Sequence, residues 1–324
     1  MRIIRIAVVP VCFVLSHLFR LLPLKQKDIL AGAIWRVLHP MLKMVGALQR
    51  LAIATGNIQQ GLSVDTEAAP GVYAEIPDAE SEEISVLYSG GADSTYSAYQ
   101  LAGRFRKVHL LTFAHLGTHD GEPPKINVRT LQDIYGPEKI EHHFIDVDEF
   151  CQAIYNEKLK ECLDKYGLFA QLFCGPCKLG MHAAAIVFNA EHGIRYTTSG
   201  AHMEGAGVWI GQMVSVRKQI LEPLFERFGQ QLLPSPAFYI ENTDEVLYEM
   251  GLTTIRHTKF PRYDFTYQDW CNFMVQHNIY ARGVFMQLRP QAELEKLGVD
   301  FSREKIPFII ERIESEIGSA GAAD

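Results

Sequence analysis

From Ile84 onward the chain alternates short apolar runs with amphipathic stretches, and the first apolar run ends in Ser89-Gly90-Gly91-Ala92-Asp93-Ser94-Thr95. No other feature constrains the fold as much. Strands that alternate with helices are joined by crossovers rather than hairpins, so they lie parallel in one sheet with helices over its faces. The sequence predicts strands over Ile84–Tyr88, Val108–Phe113, Ile140–Val147 and Ile194–Ser199. It predicts helices over Ser94–Gly103, Asn127–Tyr135, Asp148 to about Lys165, Lys178–His192 and Thr243–Met250, the last capped by Thr243. The expected class is α/β: a doubly wound parallel sheet with an N-terminal helical segment and a small helical C-terminal region. Ligands of such sheets sit beyond the carboxyl ends of the strands.

The glycine-rich turn lies at such an end, directly before a helix. Two glycines let a backbone approach an anion closely. A helix start offers unpaired N–H groups and a positive dipole end, and Ser89, Ser94 and Thr95 add hydroxyls. That chemistry suits a phosphate. The turn is neither a Walker loop, since no Gly-Lys-Ser/Thr follows, nor a GxGxxG fingerprint. Read without a ligand, it is a tight strand-to-helix turn with Asp93 or Ser94 as the helix cap.

SGGADST resembles the SGGxDS signature of the PP-loop ATP pyrophosphatases, and the similarity runs over roughly residues 84–250. The resemblance implies a Rossmann-like, HUP-type fold. It also implies cleavage of ATP to AMP and pyrophosphate with adenylation of an acceptor. It assigns Ser89, Gly90, Gly91, Ser94 and Thr95 to the pyrophosphate, and Asp93 to ordering the loop or placing Mg²⁺. Thr112 and Phe113, ending the second strand, fall near adenine and ribose. Lys178, Arg217 and Lys218 are candidates for the cation that offsets charge building on the phosphates.

Phe173-Cys174-Gly175-Pro176-Cys177-Lys178 copies a thioredoxin-like redox sequence, yet a nucleotide-binding unit already precedes it. The run from Cys174 and Cys177 through His182 to Ser199-Gly200-Ala201-His202 is similar to tRNA 2-thiocytidine and 2-thiouridine synthetases of the PP-loop group. That resemblance implies an iron–sulfur cluster on Cys174, Cys177 and a distant third thiolate, for which Cys271 is the candidate. A zinc site completed by His182 and His202, a redox pair and two inert thiols stay open as alternatives. Cys12, Cys151 and Cys162 have no partner spacing, and six cysteines in 324 residues are too few for a disulfide scaffold.

Charge divides the chain. Residues 1–57 hold eight Lys/Arg against one acid, Asp28, a net of +7. Against a whole-chain charge of −7, the remainder carries −14. Residues 6–19 are apolar but interrupted by Pro10, and fall short of the ~20 that span a bilayer. From Asp28 to about Thr55 the pattern is an apolar helix on which Arg36, Lys43 and Arg50 recur every seven residues. A cationic stripe on an apolar helix suits an anionic membrane surface first, with a solvated hairpin packed on the body or in an oligomer contact, and a cleaved or spanning segment, as the alternatives. Residues 58–83 carry seven acids and no base, which reads as a linker. The expected organisation is therefore head 1–57, linker 58–83, nucleotide-binding domain 84–250 and accessory region 251–324, ending in a frayed GSAGAAD tail.

Three functions follow as expectations. The first is ATP-dependent sulfur insertion into a tRNA or small-molecule acceptor, with ATP, Mg²⁺ and an iron–sulfur cluster or Zn²⁺. The second is C–N bond formation on a small or membrane-linked acceptor after the same adenylation. The third is a nucleotide sensor without turnover. The basic and aromatic run Ile255–Phe265 is a candidate RNA contact. The expected location is cytoplasmic, peripheral at the inner face of the membrane.

Overall fold

In the computed structural model the described residues are 76, 78–114, 118–119, 122–151, 153–154, 159–166, 171–201, 214–238, 240, 243–253, 270–271 and 291–320. The basic head, most of the linker, His202 and the Ile255–Phe265 run lie outside them. Among the described residues, no helix is long and apolar enough to cross a membrane.

Five strands form one parallel sheet: β1 (Glu83–Leu87), β2 (Lys107–Ala114), β4 (Ile140–Asp146), β5 (Tyr196–Ser199) and β6 (Gln231–Leu232). Their order across the sheet is β4-β2-β1-β5-β6, every pair parallel. This is the doubly wound arrangement expected from the alternating pattern. A two-residue β3 (Thr118–His119) pairs antiparallel with β7 (Trp270–Cys271). The helices are α1 (Ala92–Ala102), α2 (Glu122–Tyr135), α3 (Asp148–Cys151), α4 (Leu159–Tyr166) and α5 (Gln171–His192). Next comes α6, a run of Val214–Val216, a π-helical turn Arg217–Leu221 and Glu222–Arg227. Then follow α7 (Thr243–Glu249) and α8 (Gln291–Ala320).

Alternation along the strands divides the core. Ile84 and Val86 of β1, and Tyr88 directly after it, meet Val108 and Leu110 of β2 on one face, covered by Ala98, Leu101 and Ala102 of α1 and by Val128 and Leu131 of α2. Leu87, Leu111 and Phe113 point to the other face, packed by Leu179, Ala183 and Ile186 of α5. Because both faces are covered, β1 is buried from Ile84 to Leu87, and its one buried polar side chain, Ser85, meets Thr197 Oγ1 at 2.9 Å.

Several expectations change. Of the helix expected from Asp148 to about Lys165, the described parts are α3, a π-helical pair at 153–154 and α4. The helix expected from Lys178 starts seven residues earlier, so Cys174 and Cys177 lie within α5, with Pro176 in the same turn. Gly318, Ser319 and Ala320 continue α8 rather than fray. Val299, Phe301, Ile309 and Ile313 of α8 share the core with Leu87 and Leu111.

Candidate functional site

In a sheet of this order, the crossover direction reverses between β1 and β5, and the crevice there is where ligands bind. Both walls of that crevice are glycine-bearing turns. After β1, Gly90 takes a positive φ of 80°, which a side chain would disfavour. Gly91 then caps α1 from extended backbone, its own N–H given to Ser89 Oγ at 3.4 Å. Buried Asn127 of α2 donates its Nδ2 to the Gly90 carbonyl at 2.8 Å. In a trans peptide the N–H opposes the carbonyl, so this bond turns the Gly91 N–H away from the core.

The opposite wall comes from the end of β5. A Cβ on Gly200 would lie 2.6 Å from Ser94 N and 2.8 Å from Ser94 Cα. Those are backbone atoms, so only glycine lets the two turns touch. The Ser199-Gly200 turn and the phosphate-loop candidate are thus one unit, built from segments about a hundred residues apart.

The loop hydroxyls divide their work. Ser89 is exposed, whereas Ser94 and Thr95 are buried. Ser94 Oγ donates to Gly91 O at 3.1 Å and lies 3.4 Å from Ser89 N. Thr95 Oγ1 bonds Tyr88 Oη at 3.2 Å. Ser94 and Thr95 therefore brace the loop from inside, while Ser89, on its open side, accepts the Gly91 N–H and lies 3.4 Å from Ser94 Oγ. Asp93, in the first turn of α1, accepts a hydrogen bond from Thr243 Oγ1. Thr243, expected as a helix cap, instead ties α7 to the loop.

Thr112 and Phe113 end the second strand as expected, but their side chains turn inward. Thr112 Oγ1 donates to Tyr88 O at 2.9 Å and lies 2.8 Å from His142 Nε2. Phe113 is in the core. Burial, then His143 and Lys125, push His142 down to about 4, so its imidazole is neutral at pH 7. The sequence reading missed Asn127 as a loop brace, because nothing local to it announces a bond to residue 90.

The long α5 connects the two ends of the sheet. Its Gly180 packs against Phe150 and Cys151 of α3, which follows the carboxyl end of β4. His192, at its other end, reaches the amino-end histidines of β2 and β4. The first turns of α5, carrying Cys174 and Cys177, therefore sit at the carboxyl end, as the crevice does. Spacing of three puts the two cysteines on one helix face. Cys177 is buried. The backbone of Cys271 pairs with β3, four residues beyond the end of β2. The backbones of Cys174 and Cys177 thus stand in one turn of α5, and the side chains of Cys174 and Cys271 lie outside the described residues.

His182 is five residues beyond Cys177, about 140° further round the helix, so the two do not share a face. Its Nδ1–H donates to the Lys178 carbonyl at 2.6 Å, and its ring meets Phe225 edge-on. Arg217 pairs with Glu222 at 3.3 Å. Lys218, beside it on the π-helical turn, is exposed.

No family model matches the sequence, and no curated protein matches it either. Among solved structures, the chain is similar to a predicted subunit of tRNA methyltransferase from Methanocaldococcus jannaschii. The two are 17% identical, the match covers 59% of this chain and 96% of that one, and the TM-score is 0.31.

Proposed function

We propose that the chain binds ATP in the β1/β5 crevice and transfers adenylate to an acceptor oxygen, with Cys174 and Cys177 serving subsequent sulfur insertion. The observation that carries this reading is the closure of Gly200 onto the Ser94 backbone at the point where strand order reverses. The phosphates would meet the N–H groups of Gly91 and the first turn of α1, with Ser89 as the exposed hydroxyl. In the reaction the acceptor oxygen attacks the α-phosphorus, the α–β bridging bond breaks, and pyrophosphate leaves with the electron pair. Mg²⁺ on the phosphates would offset that charge, and Asp93, which accepts a hydrogen bond from Thr243 and stands in the first turn of α1, is the carboxylate that would help place it. An iron–sulfur cluster or zinc ion would take Cys174 and Cys177 as ligands and supply or hold the sulfur that replaces the activated oxygen. A tRNA carbonyl is the acceptor class this chemistry favours.

The test uses the full chain with Mg²⁺-ATP labelled at the α-phosphate. The parent should bind ATP, and pyrophosphate should displace it. Offered a total tRNA pool, the parent should yield AMP and pyrophosphate. Gly200→Ala should weaken binding about 10–100-fold, the loss of one or two charge-assisted hydrogen bonds. Ser89→Ala, on the exposed side, should weaken it less and leave the fold unchanged. Cys174→Ser should bind ATP like the parent but form no thiolated product. Release of ADP and orthophosphate, or Gly200→Ala binding as tightly as the parent, would overturn the reading.

A further inference from the structure

The amino end of the sheet carries a second constellation, remote from the crevice and independent of the nucleotide reading. His109 stands opposite Glu141 in the β2/β4 register, and His143 follows Glu141 by two residues. Period two along a strand puts all three on one face, the face covered by α5. His109 Nδ1 lies 3.2 Å from His143 Nε2 and 3.7 Å from Glu141 Oε2. His143 Nε2 lies 3.8 Å from the same oxygen. Three atoms at bond lengths of ~2.0–2.2 Å from a tetrahedral ion are separated by ~3.3–3.5 Å, so these edges already bracket the geometry of a bound zinc.

Orientation supports the same conclusion. His109 Nε2 lies 2.7 Å from Glu83 Oε2, so its N–H is given to that carboxylate and Nδ1 presents its lone pair. A carboxylate behind a ligating imidazole is the usual outer partner of a metal-bound histidine. Burial lowers the proton affinity of both His109 and His143, against the pull of Glu83 and Glu141, and so favours the neutral, ligating imidazole. Phe188 walls the pair, at 5.8 Å from the His109 ring and 4.7 Å from His143. Side-chain exposure rises from 3% at His109 through 21% at His143 to 43% at Glu141, which gives an ion a path from solvent.

We propose that His109 Nδ1, His143 Nε2 and Glu141 Oε2 form a site for a borderline divalent metal ion, zinc above all, with Glu83 orienting His109 and water in the fourth position. Two imidazoles and one carboxylate disfavour Mg²⁺ and Ca²⁺, which require more oxygens. Binding replaces the His109–His143 hydrogen bond, with the His143 proton moving to Nδ1. Lys107 is the built-in competitor, since its ammonium pairs with the same Glu141 oxygen. Arg106 pairs with Glu83 through the other carboxylate oxygen, at 2.8 Å, and leaves the His109 contact in place. His192, at ring distances above 6 Å, is a neighbour whose Nδ1 is engaged by the Phe188 carbonyl.

The test is zinc and cobalt titration of the full chain after chelator treatment, in the parent and in a Cys174→Ser/Cys177→Ser background. The double-serine protein should still bind one ion at this site. Its cobalt spectrum should show tetrahedral d–d bands without thiolate charge transfer. His143→Ala and Glu141→Gln should each weaken binding by about 100-fold or more, and Glu83→Gln by roughly 10–100-fold. Lys107→Met, which removes a competitor and no ligand, should tighten it several-fold. Loss of all zinc in the double-serine protein would overturn the proposal. So would affinities unchanged by Glu141→Gln and Lys107→Met.

Discussion

At the scale of single residues, burial sets the chemistry of His182. Its ring is enclosed among α5 and α6 side chains, and burial pushes it down to about 4 even though the Lys178 carbonyl accepts its N–H. The sign follows from comparing states. Above the unfolded value of 6.5 both states are neutral at this position, so no penalty exists. As pH falls from 6.5 to about 4, the unfolded chain takes up a proton that the folded one refuses, and stability declines. The full shift is worth about 3 kcal/mol. His182→Gln keeps a donor for the carbonyl but cannot titrate. It should be less stable than the parent at pH 7 by about 1–3 kcal/mol, yet show a visibly flatter stability profile between pH 6.5 and 4.5. Denaturant melts at four pH values decide the matter, and parallel profiles for the two proteins would refute the assignment. Gly200 belongs to the same scale, because a single missing Cβ decides whether two turns meet.

At the scale of elements, α8 shows how a segment distant in sequence becomes part of the core. Its apolar face enters the α5 side, and Glu304 fastens it to α4. Burial opposes that carboxylate, but hydrogen bonds from Lys165, Tyr166 and Lys305 outweigh it and hold Glu304 at about 2. A depressed carboxyl stabilises the fold above its unfolded value of 4.5, and the contribution is lost as pH falls through about 2. Since Lys165 is largely solvent-exposed, screening keeps the effect near 1 kcal/mol or below, about 2–4 °C in melting temperature. Glu304→Gln should therefore melt below the parent at pH 7, with the gap narrowing as pH drops under 4.5. A gap that stays constant down to pH 3 would mean that packing, not charge, carries the change.

Elements also explain what was legible in the sequence. β1 and β2 were readable because central strands covered on both faces are rich in buried apolar residues, and β4, half-buried at the sheet edge, because its strand length falls between two helical stretches. β6 was not, because two residues, Gln231 and Leu232, leave no period to detect. The start of α5 was missed because Gly175 and Pro176 read as breakers, and tertiary packing overrides that propensity. The phosphate-loop candidate was readable because its glycines and its helix start are contiguous. Its braces were not: Asn127, Thr243 and Gly200 act across 37, 150 and more than a hundred residues, and no local signal marks such partners. The His109–Glu141–His143 cluster had half a signal, an i, i+2 pair on one strand, with its third member visible only once β2 and β4 were in register.

At the scale of the whole molecule, the described body and the basic head oppose each other electrostatically. Residues 84–324 carry 23 bases and 30 acids, whereas residues 1–57 carry +7. An acidic body is repelled by anionic lipid, so any attraction to such a surface has to come from the head. Each Lys or Arg near the surface contributes about 1 kcal/mol, and that attraction decays within a Debye length of ~8–10 Å at physiological salt. The eight basic residues of the head therefore outweigh the body only if the head lies on the membrane and the body stands off it. Residues 58–83, with seven acids and no base, are repelled from such a surface as the body is. The full chain should float with vesicles containing phosphatidylserine at about 0.1 M salt and be released near 1 M. Reversing the stripe with Arg36→Glu, Lys43→Glu and Arg50→Glu should abolish flotation while ATP binding persists. Flotation with neutral vesicles, or flotation that survives high salt, would instead mean that apolar insertion of residues 6–19 dominates. In that case the charge asymmetry would set only the solubility of the chain, and the stripe Arg36, Lys43 and Arg50 would not decide where it binds.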